Sequence, residues 1–111
     1  MNDCIFCKII KGEIPSKKMY EDEQMIVICD IEPKAKLHYL CIPKMHFALL
    51  SEMDEQKAEA LNYCFKKIPN LVSTLGLESG YRVIINQGEN GGQAVHHLHI
   101  HLLGGEKLKD F

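Results

Sequence analysis

Residues 97–103 read His-Leu-His-Ile-His-Leu-Leu, a run in which three histidines alternate with aliphatic residues. On a β-strand successive side chains point to opposite faces, so this alternation predicts a strand with the histidines on one face and the aliphatic residues on the other. The aliphatic face is typical of a packed core. The histidine face aligns three groups that can titrate, act as nucleophiles or bind metal near neutral pH. We therefore expect the functional site on that face.

The rest of the sequence predicts an α+β domain with a mainly antiparallel, five-stranded sheet. Short runs rich in β-branched and aromatic residues predict strands at 18–21, 25–29, 38–42, 81–86 and 95–103. The first two strands form a predicted hairpin, and the segment before them is predicted to be irregular or to form a short helix. Because the 111 residues contain no internal repeat or linker, we expect a single domain over 1–111.

One long amphipathic helix is predicted between the third and fourth strands. From Ser51 onward, apolar residues recur at three- and four-residue spacing. Ser51 and Asp54 match a capping box, and Gly76 suits the left-handed position after a last helical turn. Since Pro69 lacks the N–H of a helix hydrogen bond, we expect a kink or break near residues 65–68.

The charge distribution limits the classes of partner. The net charge is −2, and the basic residues are scattered, which argues against a groove for a polynucleotide. Arg82 is the only arginine in the sequence, so one chain cannot assemble a clamp of several arginines around a phosphate. A small anionic ligand would have to be held by histidines and backbone amides.

The N-terminal sequence and the cysteines predict a cytoplasmic protein. An acidic residue at position 3 and the lack of a long apolar stretch predict neither a secretory signal nor a membrane span. Five cysteines, an odd number, favour free thiols or metal ligands over a disulfide framework.

The spacing of the three histidines leaves two kinds of chemistry open. At about 3.3 Å per residue, the backbones of His97 and His101 lie roughly 13 Å apart on a strand, so the three side chains do not readily bind one ion. His97 and His99 could share a metal with a ligand from elsewhere, and that metal would activate water. Alternatively, His99 attacks phosphorus directly and His101 stabilises the phosphate oxygens or the leaving group.

Two further motifs add candidate sites. Gly91 and Gly92 lie in a polar loop before the histidine run, where backbone N–H groups can approach an anion, although the loop lacks the features of a P-loop. Cys4 and Cys7 have the two-residue gap of a zinc-binding pair, and His46 with His97 could complete a tetrahedral set. On spacing alone, a redox pair and unconnected thiols remain alternatives.

These features together resemble the histidine-triad nucleotide-binding (HIT) family, and specifically its single-domain, Hint-like branch. The histidine run matches the family pattern of three histidines separated by hydrophobic residues. The likeness extends over further segments at 4–10, 20–23, 30–33, 38–46 and 91–93. It implies a nucleotide-binding hydrolase or transferase that cleaves nucleoside 5'-monophosphate conjugates with an amine, acyl or phosphate leaving group, through a nucleotidyl-histidine intermediate.

The resemblance also implies roles for individual residues. By position, His99 matches the nucleophile, His101 a histidine that contacts phosphate, and His38 the fourth family histidine near the site. Asp30 matches the ribose-binding acid, and Asn86 an asparagine near the sugar and phosphate. The base-pocket positions are Ile28 and Ile31, and the backbone positions beside the α-phosphate are Gly92, Ala94 and Val95.

Zinc and a second subunit are further implications of the resemblance. In zinc-containing relatives the four ligands correspond to Cys4, Cys7, His46 and His97. The family fold is a homodimer with a sheet shared between subunits. Ala94 stands where Hint-like relatives often have serine, which implies slower phosphoramidate cleavage or a different leaving group. Two alternative functions are a non-catalytic purine nucleotide-binding regulator and a zinc-dependent hydrolase.

Overall fold

The computed structural model describes residues 3–110 of the chain, and within that range five strands and two α-helices form an α+β fold, as predicted. In chain order these elements, with one 3₁₀ turn before α2, are α1 (Ile5–Ile10), β1 (Lys18–Glu21), β2 (Met25–Cys29), β3 (Leu37–Pro43), the turn Leu50–Glu52, α2 (Glu55–Leu75), β4 (Tyr81–Ile84) and β5 (Ile100–Gly104). No helix in the described part of the chain is both long and apolar enough to cross a membrane.

The five strands form one antiparallel sheet in the order β1-β2-β3-β5-β4. The predicted hairpin between β1 and β2 is confirmed. The strand that carries the last triad histidine, β5, lies between β3 and β4 and pairs with both, and His101 is opposite Leu40 on β3. His101 is therefore held from two sides by backbone pairing.

The two faces of the sheet bury different cores. On one face, Leu98, Ile100 and Leu102, none of them exposed, pack with the buried side of α2. The other face packs against α1 through a second cluster of buried side chains, which consists of Phe6, Ile9, Ile26, Ile28, Leu40 and Ile42. The aliphatic half of the histidine run thus faces α2, as the alternation predicts, and the histidines face α1.

Two of the three triad histidines, His97 and His99, precede the regular strand, so the predicted strand at 95–103 is wrong in its first half. Regular pairing begins only at Ile100, because the Leu98 N–H donates to the carbonyl oxygen of Phe47, 2.6 Å away, outside the sheet. The strand predicted at 81–86 likewise ends early, at Ile84. Side chains nevertheless alternate through this extended segment, and the prediction of two faces is retained.

Two details of the predicted long helix are wrong. The N-cap is Asp54, whose side chain accepts the backbone N–H of Lys57 at 2.9 Å, so α2 does not begin at a capping box with Ser51. The helix also runs through Pro69 without a break. Pro69 lies on the exposed side, while Ile68 and Leu71 are buried in the core, and this packing offsets the single lost hydrogen bond. Gly76 adopts the predicted left-handed conformation, at φ 75°.

Asp22 connects the β1–β2 turn to α2 through hydrogen bonds. Its carboxylate accepts hydrogen bonds from the hydroxyls of Tyr20 (2.7 Å) and Tyr63 (2.6 Å) and from the backbone N–H groups of Gln24 (2.8 Å) and Met25 (3.0 Å). Burial raises the pKa of Asp22, but these four hydrogen bonds outweigh that effect and lower the pKa to about 2. The folded protein therefore favours the ionised carboxylate.

We expect Asp22→Asn to reduce the free energy of unfolding at pH 7 by about 1 to 2 kcal/mol, an amount discounted for partial solvent exposure. Because the folded-state pKa is below the ordinary value, the stabilisation is present above about pH 4 and is lost as the pH falls toward 2. Urea unfolding between pH 2 and 7 measures this, with Glu23→Gln on the same turn as the matched control. A variant as acid-sensitive as the wild type would contradict the assignment.

Candidate functional site

His99 is held in one tautomer and one orientation. Its Nδ1 lies 2.7 Å from the carbonyl oxygen of His97, and since a carbonyl only accepts, Nδ1 carries the proton. Phe6 of α1 packs edge-on against the ring, with the ring centroids 5.1 Å apart. The only unprotonated ring nitrogen is therefore Nε2, whose lone pair is available for reaction.

The charge state of His99 also suits a nucleophile. Burial lowers the pKa of His99 more than the hydrogen bond to His97 and the nearby Asp30 raise it. The ring is consequently neutral at pH 7, and a neutral imidazole attacks through its free nitrogen without a separate base.

A cavity of about 570 Å³ lies beside this ring. His99 and His101 both line it, and its volume is in the range typical of small-molecule sites. The structure also brings all seven predicted nucleotide-binding residues to the cavity wall: Ile28, Asp30, Ile31, Asn86, Gly92, Ala94 and Val95. These residues come from three separate segments of the chain, at 28–31, 86 and 92–95, so their convergence is a property of the fold.

His38 lies behind His101, and the structure does not place it on the cavity wall. The backbone N–H of Lys34 donates to His38 Nδ1 at 3.0 Å, so the proton of His38 is on Nε2. That Nε2–H donates to Nδ1 of His101 at 2.9 Å, which leaves the proton of His101 on its own Nε2. A backbone amide thus determines, through His38, that His101 is a hydrogen-bond donor toward the cavity.

Both rings of this pair are neutral at pH 7. Burial lowers the pKa of His38 more than the carboxylate of Asp30 raises it. Burial, then the neighbouring His99 and His38, lower the pKa of His101 to about 4. His101 therefore presents an N–H donor to the cavity rather than a positive charge. Asn86 lies at the far side of the ring, with its side-chain amide group 3.5 Å from His101 Nε2, and with the proton on Nε2 the oxygen of that amide is the atom able to accept from it.

The group Asp30, His38 and His101 is close enough to hold a metal ion, but its hydrogen bonds favour proton sharing. The candidate ligand atoms lie within 4.8 Å of one another, and a carboxylate oxygen of Asp30 is 3.4 Å from Nε2 of His38. Because the Lys34 N–H occupies Nδ1, Nε2 must keep its proton and has no lone pair for a metal. The geometry is that of a hydrogen-bonded chain.

A second cluster has the geometry of a metal centre and consists of Cys4, Cys7, His46 and His97. Their ligand atoms lie within 4.8 Å of one another. The separations are 3.1 Å from His46 Nδ1 to His97 Nδ1, 3.3 Å from Cys7 Sγ to His46 Nδ1, and 3.4 and 3.6 Å from His97 Nδ1 to Cys4 Sγ and Cys7 Sγ. Zinc bonds to sulfur and nitrogen give tetrahedral edges of roughly 3.3 to 3.8 Å, so three of the four separations fall in that range and the His46–His97 pair is slightly shorter.

Protonation in this cluster is consistent with metal binding. Nε2 of His97 donates to the carbonyl oxygen of Pro43 at 2.8 Å, so its Nδ1 lone pair faces the other three ligands. Burial lowers the pKa of His97 to about 4, and the ring is neutral. Burial and the neighbouring Cys4 raise the pKa of Cys7 to about 11, a preference for the thiol that a bound divalent cation reverses.

Helix α1 connects the metal cluster to the cavity. Cys4 is the N-cap of the helix, and its Sγ accepts the backbone N–H of Cys7 at 3.3 Å. Between the cysteines, Phe6 contacts the rings of both His97 and His99 and also lines the cavity, as does Ile9. The same short helix therefore carries two candidate metal ligands and forms one wall of the cavity.

Sequence reasoning missed the groups that set the tautomers, which are the backbone N–H of Lys34 and the carbonyl oxygens of Pro43 and His97. Side-chain identity carries no signal for them. The wall formed by Phe6 was missed as well, although its place inside the Cys4–Cys7 spacing ties it to the first triad histidine.

Comparisons with known proteins identify the family of this chain. The model of the HIT domain family matches residues 11–108. Protein HitA of Neisseria gonorrhoeae is 44% identical over 104 residues, covering 94% of this chain and 97% of the relative. The 14 kDa zinc-binding protein of Zea mays is 46% identical over 106 residues, covering 94% and 83%. A solved HIT family hydrolase from Clostridium thermocellum superposes with a TM-score of 0.93 at 46% identity, covering 100% and 97%. The chain therefore belongs to the HIT family.

Proposed function

We propose that this protein cleaves nucleoside 5'-monophosphate conjugates, as a hydrolase or nucleotidyl transferase, through an intermediate on Nε2 of His99. The observation that carries the proposal is the hydrogen bond from His99 Nδ1 to the His97 carbonyl oxygen, which leaves Nε2 as the reactive atom of a ring that lines the cavity. The name of the solved relative from Clostridium thermocellum, a HIT family hydrolase, supports the reaction class.

The reaction has two displacement steps. The Nε2 lone pair of His99 attacks the α-phosphorus, a P–N bond forms, and the bond to the leaving group breaks with its electron pair. The leaving group takes a proton from solvent while His101 Nε2–H donates a hydrogen bond to the departing atom. The bond from Nδ1–H to the His97 carbonyl oxygen stabilises the positive charge on the nucleotidylated ring. Water then attacks phosphorus and gives up a proton to solvent, the electron pair of the P–N bond returns to Nε2, and the nucleoside monophosphate leaves.

Different cavity residues contact different parts of the nucleotide. The carboxylate of Asp30 accepts hydrogen bonds from the ribose hydroxyls, and the backbone around Gly92 and Val95 borders the α-phosphate with N–H groups in place of arginine. The base contacts Ile28 and Ile31. Ile31 is 92% exposed, and a bound purine would cover this apolar side chain.

We propose that Cys4, Cys7, His46 and His97 hold a structural zinc ion. The tetrahedral donor set fits zinc, and the maize relative is named a zinc-binding protein. A zinc ion bound there would connect α1 to the histidine run and, with four protein ligands, would have no open coordination position. Within the described part of the chain none of the four ligands lines the cavity, which favours the His99 route over a zinc-dependent hydrolase.

We also propose that two copies assemble through the edge of the sheet at β4. This strand is last in the sheet order, and Val83 on it is 44% exposed. An edge strand offers unpaired backbone groups to a second copy. The prediction of a cytoplasmic protein without a polynucleotide partner is retained.

The decisive test is mass spectrometry of protein quenched during turnover of adenosine 5'-phosphoramidate. We expect an adenylyl adduct on the wild-type protein that maps to His99 and is absent from His99→Ala. Tight binding of AMP by the wild type without turnover or adduct would favour the regulatory alternative. Turnover without an adduct, lost on metal removal from the folded chain, would favour the zinc hydrolase.

A further inference from the structure

Ser16 occupies a distinctive place in the cavity wall. It precedes β1, and because the next residue, Lys17, accepts the backbone N–H of Cys29 at 3.0 Å, Ser16 lies beside the end of β2. The cavity wall includes Ser16 together with Ile14 and Ile28. It therefore belongs to the part of the wall that the proposed function gives to the base.

The hydroxyl of Ser16 is buried without a hydrogen-bond partner. Among residues 3–110 it is the one buried side-chain nitrogen or oxygen atom with this property. A buried hydroxyl that makes no hydrogen bond destabilises the folded chain, so such groups are rare in proteins. Its presence in the wall of a ligand cavity suggests that its partner is supplied by the ligand.

In the structure Oγ itself is turned away from open space, so the hydroxyl must rotate to meet a ligand. Since Oγ makes no hydrogen bond within the described protein, rotation to another staggered χ1 rotamer breaks none. The wall around it is formed largely by Ile14, Pro15 and Ile28. A purine packed against such a wall loses water from the polar atoms of its edge and needs a partner for them.

We propose that Ser16 determines base recognition by making a hydrogen bond from its hydroxyl to the polar edge of a bound purine. A serine hydroxyl both donates and accepts, so it can pair with a ring nitrogen or with an exocyclic amine. This inference rests on the proposed function, because it assumes a purine mononucleotide in the cavity. It adds a specificity-determining residue to a wall that is otherwise mostly apolar.

The test combines Ser16→Ala with edge-modified ligands, using calorimetric binding to the full-length protein. We expect the substitution to weaken AMP binding roughly 3- to 10-fold, the usual effect of one neutral hydrogen bond. The other ligands are the 5'-monophosphates of purine riboside and of 1-, 3- and 7-deazaadenosine. For the analogue that lacks the atom contacted by Ser16, the substitution Ser16→Ala should leave the binding affinity unchanged. Ser79→Ala, an exposed serine outside this cavity, is the matched control.

The stability of the free protein provides a second measurement. Removing an unpartnered hydroxyl should leave the melting temperature unchanged or raise it by a few degrees, whereas a fall of more than about 4 °C would reveal an internal partner and overturn the inference. An equal loss of affinity for all analogues, or no loss for any, would also overturn it. If Ser16→Ala gives one of these contradicting results while the wild type still binds AMP and forms the His99 adduct, only the role of Ser16 fails. If the wild type binds no nucleoside monophosphate, both proposals fail.

Discussion

Replacing His99 with alanine is expected to lower kcat for adenosine 5'-phosphoramidate by at least about 10⁴-fold, because the covalent route through Nε2 is lost. The binding residues Asp30 and Asn86 are untouched, so the affinity for AMP should stay within about 10-fold. Single-turnover kinetics separate the two effects. The expected result is a folded protein that binds nucleotide and does not react.

The matched control for this substitution is His96→Ala. His96 is an exposed histidine in the same segment and should tolerate the change with nearly full activity. The variant His99→Gly adds a further check, because free imidazole can enter the vacated space and restore part of the turnover. Retention of more than a tenth of the wild-type rate by His99→Ala would show that the nucleophile is elsewhere.

The two faces of the histidine run could be predicted because alternation is a local property of an extended chain. The structure confirms it: Leu98 and Ile100 are fully buried toward α2, while His99 faces α1. The extent of the strand could not be predicted in the same way. It depends on whether Leu98 pairs with β3 or with Phe47, and that choice is made by the path of a distant loop.

Helix α2 shows the same division between local and long-range information. The left-handed Gly76 follows from the absence of a side chain and was predicted correctly. The predicted alternative of a break at Pro69 is wrong, because the burial of Ile68 and Leu71 against the sheet keeps the helix continuous. Local propensity was overruled by tertiary packing.

The place of His38 behind His101 depends on the register of β3 against β5. His38 pairs with Leu103, and this register brings its ring to the His101 ring, with centroids 5.1 Å apart. No spacing in the sequence encodes that register, so only a family resemblance suggested that the two histidines act together. The tautomers of this pair are harder still to predict, because the backbone amide of Lys34, which is far from His101 in the sequence, fixes them.

Removing the proposed zinc ion is expected to lower the melting temperature by about 10 to 20 °C without unfolding the sheet. A ligand present at 1,000 times its dissociation constant stabilises by about 4 kcal/mol, and for a domain of this size each kcal/mol corresponds to about 4 °C. Cys7→Ser should reproduce the loss. Cys29→Ser, a cysteine outside the cluster, should keep one zinc per chain by elemental analysis.

Hydrogen exchange shows which elements lose stability when the zinc ion is removed. Hydrogen exchange should increase in α1, where Cys4 caps the helix, and should change little in β3 and β5, whose backbone pairing does not involve the cluster. Because Phe6 packs on His99, the freed helix should also weaken AMP binding while adduct formation on His99 persists at a lower rate. Complete loss of the adduct in a folded, metal-free protein would mean that the metal takes part in the chemistry, and an unchanged melting temperature would mean that the four side chains hold no structural ion.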